Sequence, residues 1–258
     1  LPLAIFVVHS QLACGSTPPA APAGVPAPHA KWSYSGDNGP EHWGDLDPGY
    51  ALCKTGDAQS PIDLPPAPAR HQPSPGKPHW EPVPLRITNN GHTIQVDDTS
   101  PSSFVVEGVT YKLAQFHFHC PSEHTVGGRA FDAEAHFVHK SETGKVLVVA
   151  LLFGSGAENP VLAPVWRAMP AKEGPTVTVP DTTIDVSSLL PGAPRYFRYD
   201  GSLTTPPCTE GVKWLVVEPD ASTQLSPDQI KKLRGLTLPS TNRPEQRVGS
   251  REVPELVP

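Results

Sequence analysis

Between Gln115 and His139 the chain reads Gln-Phe-His-Phe-His-Cys-Pro-Ser-Glu-His-Thr and then Phe-Asp-Ala-Glu-Ala-His-Phe-Val-His. His117 and His119 are one residue apart, so on an extended strand both imidazoles project from one face while Phe116 and Phe118 take the other. The second segment alternates in the same way and puts Glu134, His136 and Val138 on a common face. Two antiparallel neighbours would bring three imidazoles together. Three neutral nitrogens with a fourth position left open are the donor set of a catalytic zinc. Spacing alone leaves a second account open, in which these are structural histidines, because His-x-His is a weak signal and the chain holds 11 histidines.

Positioning such a cluster needs a sheet, and short strand-like runs separated by turn residues begin at Leu85. They span Leu85–Thr88, His92–Val96, Ser103–Glu107, Val109–His119, Phe131–His139, Val146–Phe153, Thr176–Val179, Tyr196–Tyr199 and Val212–Val217. Val146–Phe153 is apolar at nearly every position and belongs at a buried sheet centre. Two helices are signalled. Asn159-Pro160 precedes Val161, Leu162, Val165, Trp166 and Met169 at helical spacing. Ser226-Pro-Asp-Gln229 is a capping-box pattern, with Gly235 placed to close that helix in a left-handed conformation. Neither helix carries a cluster of reactive groups, so both read as packing.

The 258 residues suffice for one domain with a sizeable core. About half of the 34 prolines precede Arg86, which disfavours long helices there and predicts irregular chain wrapped around the sheet. Trp32, Tyr34 and Trp43 sit among turn formers and predict rings that pin a loop. The net charge is −6 and no run of Lys or Arg could follow a phosphate backbone, so a nucleic-acid partner is excluded.

The 4 cysteines allow three pairings and include no Cys-x-x-Cys, so a zinc site here must be built from histidine. Leu1–Val8 is apolar, and residues 1–15 read as the remainder of a secretory signal. Ala13-Cys14-Gly15 offers an alternative, the processing site of a bacterial lipoprotein with a lipid on Cys14. Residues 16–30 read as a Pro/Ala-rich linker, and the folded domain is expected to span 31–258. The expected location is the periplasm or the exterior, with membrane anchoring if Cys14 is lipidated.

Two distant segments complete the pattern. Tyr196-Phe-Arg-Tyr199-Asp-Gly-Ser-Leu203-Thr204-Thr205-Pro206-Pro207-Cys208-Thr-Glu, ending near Trp214, is a polar loop stiffened by two prolines. Asn89-Asn90-Gly91-His92 is a turn that places a histidine at the start of a strand. With these residues the chain resembles an alpha-class carbonic anhydrase of the exported bacterial type from about Trp32 to Arg243.

The resemblance implies a mainly β, α+β fold: one domain with a large twisted, mostly antiparallel central sheet and short surface helices. It implies reversible hydration of carbon dioxide to bicarbonate and a proton, by hydroxide generated at Zn2+. His117, His119 and His136 match the zinc ligands, and Gln115 and Glu134 match the groups that hydrogen-bond ligand imidazoles. Thr204 matches the residue that accepts a hydrogen bond from the hydroxide, Glu123 the carboxylate that orients Thr204, and Thr205 lines the substrate side. Val138, Val148, Leu203 and Trp214 match the apolar wall that receives carbon dioxide. His92 matches the proton shuttle, and Tyr34, Asn90 and Gln95 match the polar wall that orders water, with Gln95 standing where Asn is familiar. Cys53 and Cys208 match the disulfide of exported members. His124 and His139 match buried structural histidines, and Cys120, next to a ligand on a strand, should face away from the metal. A homodimer is also implied.

Two rival readings fit some of the same residues. His117-Phe-His119-Cys-Pro-Ser-Glu123 also matches the His-x-His-x-x-x-Glu of cupin-like proteins, with Glu123 as a fourth ligand to iron or manganese. A non-enzymatic binding module on the same fold is the second.

Overall fold

The computed structural model describes residues 30–236 and 240–258, so the expected leader at 1–15, nearly all of the linker and Cys14 lie outside the described residues. Within them the strands are β1 (Asp63–Leu64), β2 (His71–Pro73), β3 (Val83–Asn89), β4 (Ile94–Asp97), β5 (Ser103–Val106), β6 (Val109–His119), β7 (Thr125–Val126) and β8 (Arg129–Ala130). They continue as β9 (Ala133–Lys140), β10 (Val146–Ser155), β11 (Val177–Ile184), β12 (Tyr196–Ser202), β13 (Glu210–Val217), β14 (Gln224–Leu225) and β15 (Glu255–Val257). Four short helices, α1 (Trp43–Leu46), α2 (Leu52–Thr55), α3 (Ala163–Ala168) and α4 (Pro227–Leu236), accompany them. The main sheet has the order β11-β3-β4-β6-β9-β10-β13-β12-β15-β2. Its pairs are antiparallel except β10 with β13 and β15 with β2, and the short β14, which lies off this order, pairs parallel with β10. This is the mostly antiparallel sheet with short helices that the resemblance implied.

The apolar residues divide between the two faces of the sheet. One face carries Leu85, Ile87, Val96, Phe116, Phe118, Phe137, Val149 and Leu151 into a large core closed by Trp166 and Leu233 from α3 and α4. The other holds a smaller cluster of Val138, Val148, Ala150, Trp214 and Val216. Strand β10 is buried from Leu147 to Leu152 on both faces, as its uninterrupted apolar run requires.

Strand β6 contains a bulge between Leu113 and Gln115 in its pairing with β9. Before it, Tyr111 and Leu113 point into the large core; after it, Phe116 and Phe118 do. The extra residue shifts the alternation by one, a local re-aiming that bulges impose on a strand. It turns Gln115, His117 and His119 onto the opposite face.

Two expectations need correction at their edges. Strand β4 begins at Ile94, so His92 lies in the preceding turn rather than on the strand. Gly235 lies inside α4, and its backbone is not left-handed. The capping box itself is made: Ser226 Oγ accepts from Gln229 N at 3.2 Å and Gln229 Oε1 accepts from Ser226 N at 3.1 Å. The C-terminal strand β15, which inserts between β12 and β2, is not among the expected strands, because it carries too short an apolar run to stand out in sequence.

Candidate metal centre and active site

In the register of β6 with β9, His117 stands opposite His136 and His119 opposite Glu134. One nitrogen from each of His117, His119 and His136 therefore converges, all within 4.8 Å of one another. The other nitrogen of each ring is held by an acceptor. His117 Nδ1 donates to Gln115 Oε1 at 2.8 Å, His119 Nδ1 to the Thr241 carbonyl at 2.6 Å, and His136 Nε2 to Glu134 Oε1 at 2.8 Å. An amide oxygen, a carbonyl and a carboxylate only accept, so each ring N–H points outward and His117 Nε2, His119 Nε2 and His136 Nδ1 present lone pairs to the centre. Burial first, and the neighbouring imidazoles second, push the His117 pKa well below its ordinary value; burial lowers His119 and His136 too. All three rings are thus neutral at neutral pH, the form that binds metal. His119 Nε2 is buried without a partner, an orphaned acceptor that a cation would satisfy.

Glu134 anchors the inner side of the centre. Its Oε2 accepts the backbone N–H of Glu123 and of His124, both at 2.8 Å, while Oε1 accepts from His136 and, at 2.7 Å, from His124 Nδ1. Burial acts to raise its pKa, but His124 and His136 outweigh burial and hold the carboxyl well below the usual range. His124 Nε2 lies 2.6 Å from the Tyr199 hydroxyl, so both ring nitrogens of His124 are bonded and it is the buried structural histidine that the resemblance implied. His139 likewise is buried in the opposite face, where Trp80 Nε1 donates to its Nε2 at 2.9 Å.

Glu123 is excluded from the donor set by its direction. It approaches His119 Nδ1 at 3.7 Å and His136 Nε2 at 4.0 Å, the outward nitrogens of both rings. It therefore stands behind the imidazoles, which removes the cupin-like arrangement. Its Oε1 accepts from Arg243 N at 2.8 Å, and burial pushes the carboxyl up to about 7. The Thr204 hydroxyl bears on this carboxylate, yet Oε2 has no partner at hydrogen-bond geometry.

Strand pairing also builds the wall beside the triad. Val138, Val148 and Trp214 stand in one row across β9, β10 and β13, and Leu203 packs against the same cluster. The loop carrying Leu203, Thr204 and Thr205 is tied at both ends: Leu203 N donates to Thr209 O at 2.9 Å and Cys208 N to Thr205 O at 2.9 Å. Trp214 Nε1 donates to Ser202 O at 3.1 Å at the root of the loop. Cys208 is bonded to Cys53, the pairing the resemblance implied. Cys120 is a buried free thiol in the large core, on the face away from the triad.

On the remaining side, Gln95 stands opposite His117 in the β4–β6 register, but its amide Nε2 is drawn to Asp97 Oδ1 at 2.7 Å. Asn90 is exposed, and its side-chain oxygen is spent on the turn, accepting from His92 N at 3.0 Å and Thr93 N at 2.9 Å. The His92 ring stacks on Trp32 with centroids 3.8 Å apart, and Tyr34 meets it edge-on at 6.4 Å. Burial lowers the His92 pKa.

Two contributors went unnoticed in sequence. The Thr241 carbonyl, which orients His119, offers no side-chain signal. Arg243 is buried, and its guanidinium donates to Gln59 Oε1 and Ser60 O, each at 2.8 Å, and to Cys53 O at 2.9 Å. A lone Arg beside a proline gives no hint of that reach.

A sequence profile of the eukaryotic-type carbonic anhydrases matches residues 38–255. A carbonic anhydrase of Pectobacterium atrosepticum is 41% identical over 221 residues, 85% of this chain and 88% of that protein. Among solved structures, the alpha-carbonic anhydrase of Thermovibrio ammonificans in complex with the inhibitor sulfanilamide superposes with a TM-score of 0.83 at 44% identity, covering 88% of this chain and 99% of that one. A hyperthermostable carbonic anhydrase from a hydrothermal vent chimney gives 0.81 at 42% identity, covering 88% and 100%.

Proposed function

The chain belongs to the eukaryotic-type, or alpha, carbonic anhydrase family of lyases, and we propose that it hydrates carbon dioxide reversibly at a zinc ion held by His117, His119 and His136. The observation that carries this reading is the convergence of three neutral imidazole nitrogens, each with its other ring nitrogen bound to an acceptor. The donor set suits zinc, which favours three histidines with an open fourth position in catalytic sites. Zinc so held lowers the pKa of a water ligand to about 7; carbonic anhydrase is itself the type case for that value, which is a general one and not a property measured in this chain.

The remaining chemistry falls to the protein. Gln115, the Thr241 carbonyl and Glu134 fix the tautomer of each ligand. Glu123 takes the Thr204 hydroxyl proton as a hydrogen bond, which leaves the Thr204 oxygen free to accept from the nucleophile and aim its lone pair at the substrate carbon. Val138, Val148, Leu203 and Trp214 receive carbon dioxide on a dry surface, with Thr205 at its edge. His92 carries the proton outward through water ordered by Tyr34, Asn90 and Gln95, of which Gln95 and Asn90 have part of their hydrogen-bonding capacity already used. A histidine imidazole is the side chain suited to both accepting and releasing that proton.

Stopped-flow hydration on protein of measured metal content tests the reading. One zinc per chain, activity abolished by chelation and restored by zinc, and inhibition by a sulfonamide are expected. Hydration at the uncatalysed rate in zinc-loaded protein would leave a non-enzymatic binding role instead. His92→Ala should slow turnover in weak buffer and recover with added imidazole.

The Cys53–Cys208 disulfide supports export to an oxidising compartment, the periplasm or the exterior. No described helix is long and apolar enough to cross a membrane. Mass spectrometry of the native N-terminus tests lipidation of Cys14, and analytical ultracentrifugation tests the homodimer.

A further inference from the structure

His92 sits on a turn that is fastened to a second loop. The Asn89 carbonyl accepts from Gly174 N at 3.0 Å, and Asn89 Nδ2 donates to the Pro170 carbonyl at 3.1 Å. Between those tethers the loop projects Glu173, whose side chain lies against the turn. A Cβ built on Gly91 would stand 2.9 Å from Glu173 Oε2 and 3.1 Å from its Cδ. Gly91 also has φ of +83°, a conformation that favours glycine, and the carboxylate lies over the open space that its missing side chain leaves. Glu173 itself is exposed to solvent.

The ring beside it is held on several sides. Trp32 stacks on one face with an interplanar angle of 8°, and His92 Nδ1 is enclosed without a hydrogen-bond partner. Among the described residues, the titratable groups that face His92 are the Tyr34 phenol from the N-terminal segment and the Glu173 carboxylate from the 170–174 loop. Burial, then the charge of Glu123, raises the Tyr34 pKa well above its ordinary value, so that phenol stays neutral. Glu173 is left as the charge that acts on the ring.

We propose that Glu173 is the charge partner of His92, a positioning residue whose carboxylate holds the outgoing proton on the ring at the mouth of the site. Enclosure of His92 disfavours its cationic form, and the negative charge of Glu173 opposes that effect from the solvent side. The carboxylate thereby keeps the imidazole able to take a proton at neutral pH and to pass it to buffer. The role in turnover rests on His92 being the shuttle; the charge pairing does not.

The test is an NMR titration of His92 in zinc-loaded wild type, Glu173→Gln and Glu173→Lys, read beside the pH profile of buffer-limited hydration. An exposed pair of this kind predicts a midpoint lower by about 0.3 to 0.7 pH unit in Glu173→Gln and lower again in Glu173→Lys. The difference should shrink at ~0.5 M salt, which a purely structural role would not produce. Parallel movement of the turnover profile supports the full proposal. An unchanged His92 midpoint in both variants overturns it, even if His92→Ala slows turnover. Conversely, a shifted midpoint with a turnover profile indifferent to both Glu173→Gln and His92→Ala would retire the shuttle and leave the pairing standing.

Discussion

At the scale of single residues, the centre is defined by what holds each imidazole from behind. Removing such an acceptor frees a ring to rotate or to change tautomer, which ordinarily weakens metal binding about 10- to 100-fold. Gln115→Ala and Glu134→Ala should both do so in chelator competition, with Glu134→Ala the larger loss because its oxygens also hold His124 and two backbone N–H groups. His139 gives a pH prediction separate from the metal. Burial lowers its pKa to about 4, so the folded protein keeps it neutral while the unfolded chain protonates it below about 6.5. A depressed histidine pKa leaves stability unchanged above that value and subtracts from it as pH falls, by on the order of 2 kcal/mol at roughly pH 5. Urea unfolding at about pH 7.5 and 5 should show a loss smaller by that amount in His139→Gln, which keeps an acceptor for Trp80 Nε1. Equal losses in both proteins would remove His139 as the source.

At the scale of elements, the site depends on register. Val138, Val148 and Trp214 come from three strands and meet only because their pairings place them in one row. Val148→Phe should fill the dry surface while leaving the ligand strands paired: unchanged zinc content with kcat/KM reduced about 10-fold or more, measured by stopped flow, is the expected split. Register is also what decides how much of the site is legible in the sequence. Alternation in Phe131–His139 and the His-x-His pair are enough to put three imidazoles on one face. The phase break in β6 is legible too, since apolar residues fall at 111 and 113 and then at 116 and 118, and an odd-to-even switch within one strand is the mark of a bulge. Periodicity taken only over Gln115 to His119 passes over it. Strand β15 and the chain segment at Thr241 are not legible, because one is three residues of pairing near the sheet edge and the other acts through a carbonyl that every residue possesses.

At the scale of the whole molecule, distant segments are fastened together behind the triad by two devices that converge on Cys53. The Cys53–Cys208 bond spans 155 residues of sequence and anchors the loop of Thr204 and Thr205. In the chain-entropy picture a loop of that length contributes up to about 5 kcal/mol, an upper figure that leaves out strain. Arg243 reaches the same segment from the C-terminal side through Cys53 O, Ser60 O and Gln59 Oε1, while its own N–H holds Glu123. Arg243→Met keeps much of the side-chain volume but strands two buried carbonyls, which should cost roughly 3 kcal/mol. Because the guanidinium and the disulfide restrain one segment, their effects should not add. In a double-mutant cycle of Arg243→Met with Cys53→Ser/Cys208→Ser, monitored by denaturant unfolding, the coupling should exceed about 0.5 kcal/mol, the ordinary scatter of independent sites. Strict additivity would mean that the disulfide steadies the Thr204 loop without help from Arg243, whose guanidinium would then only satisfy the acceptors of Cys53, Gln59 and Ser60.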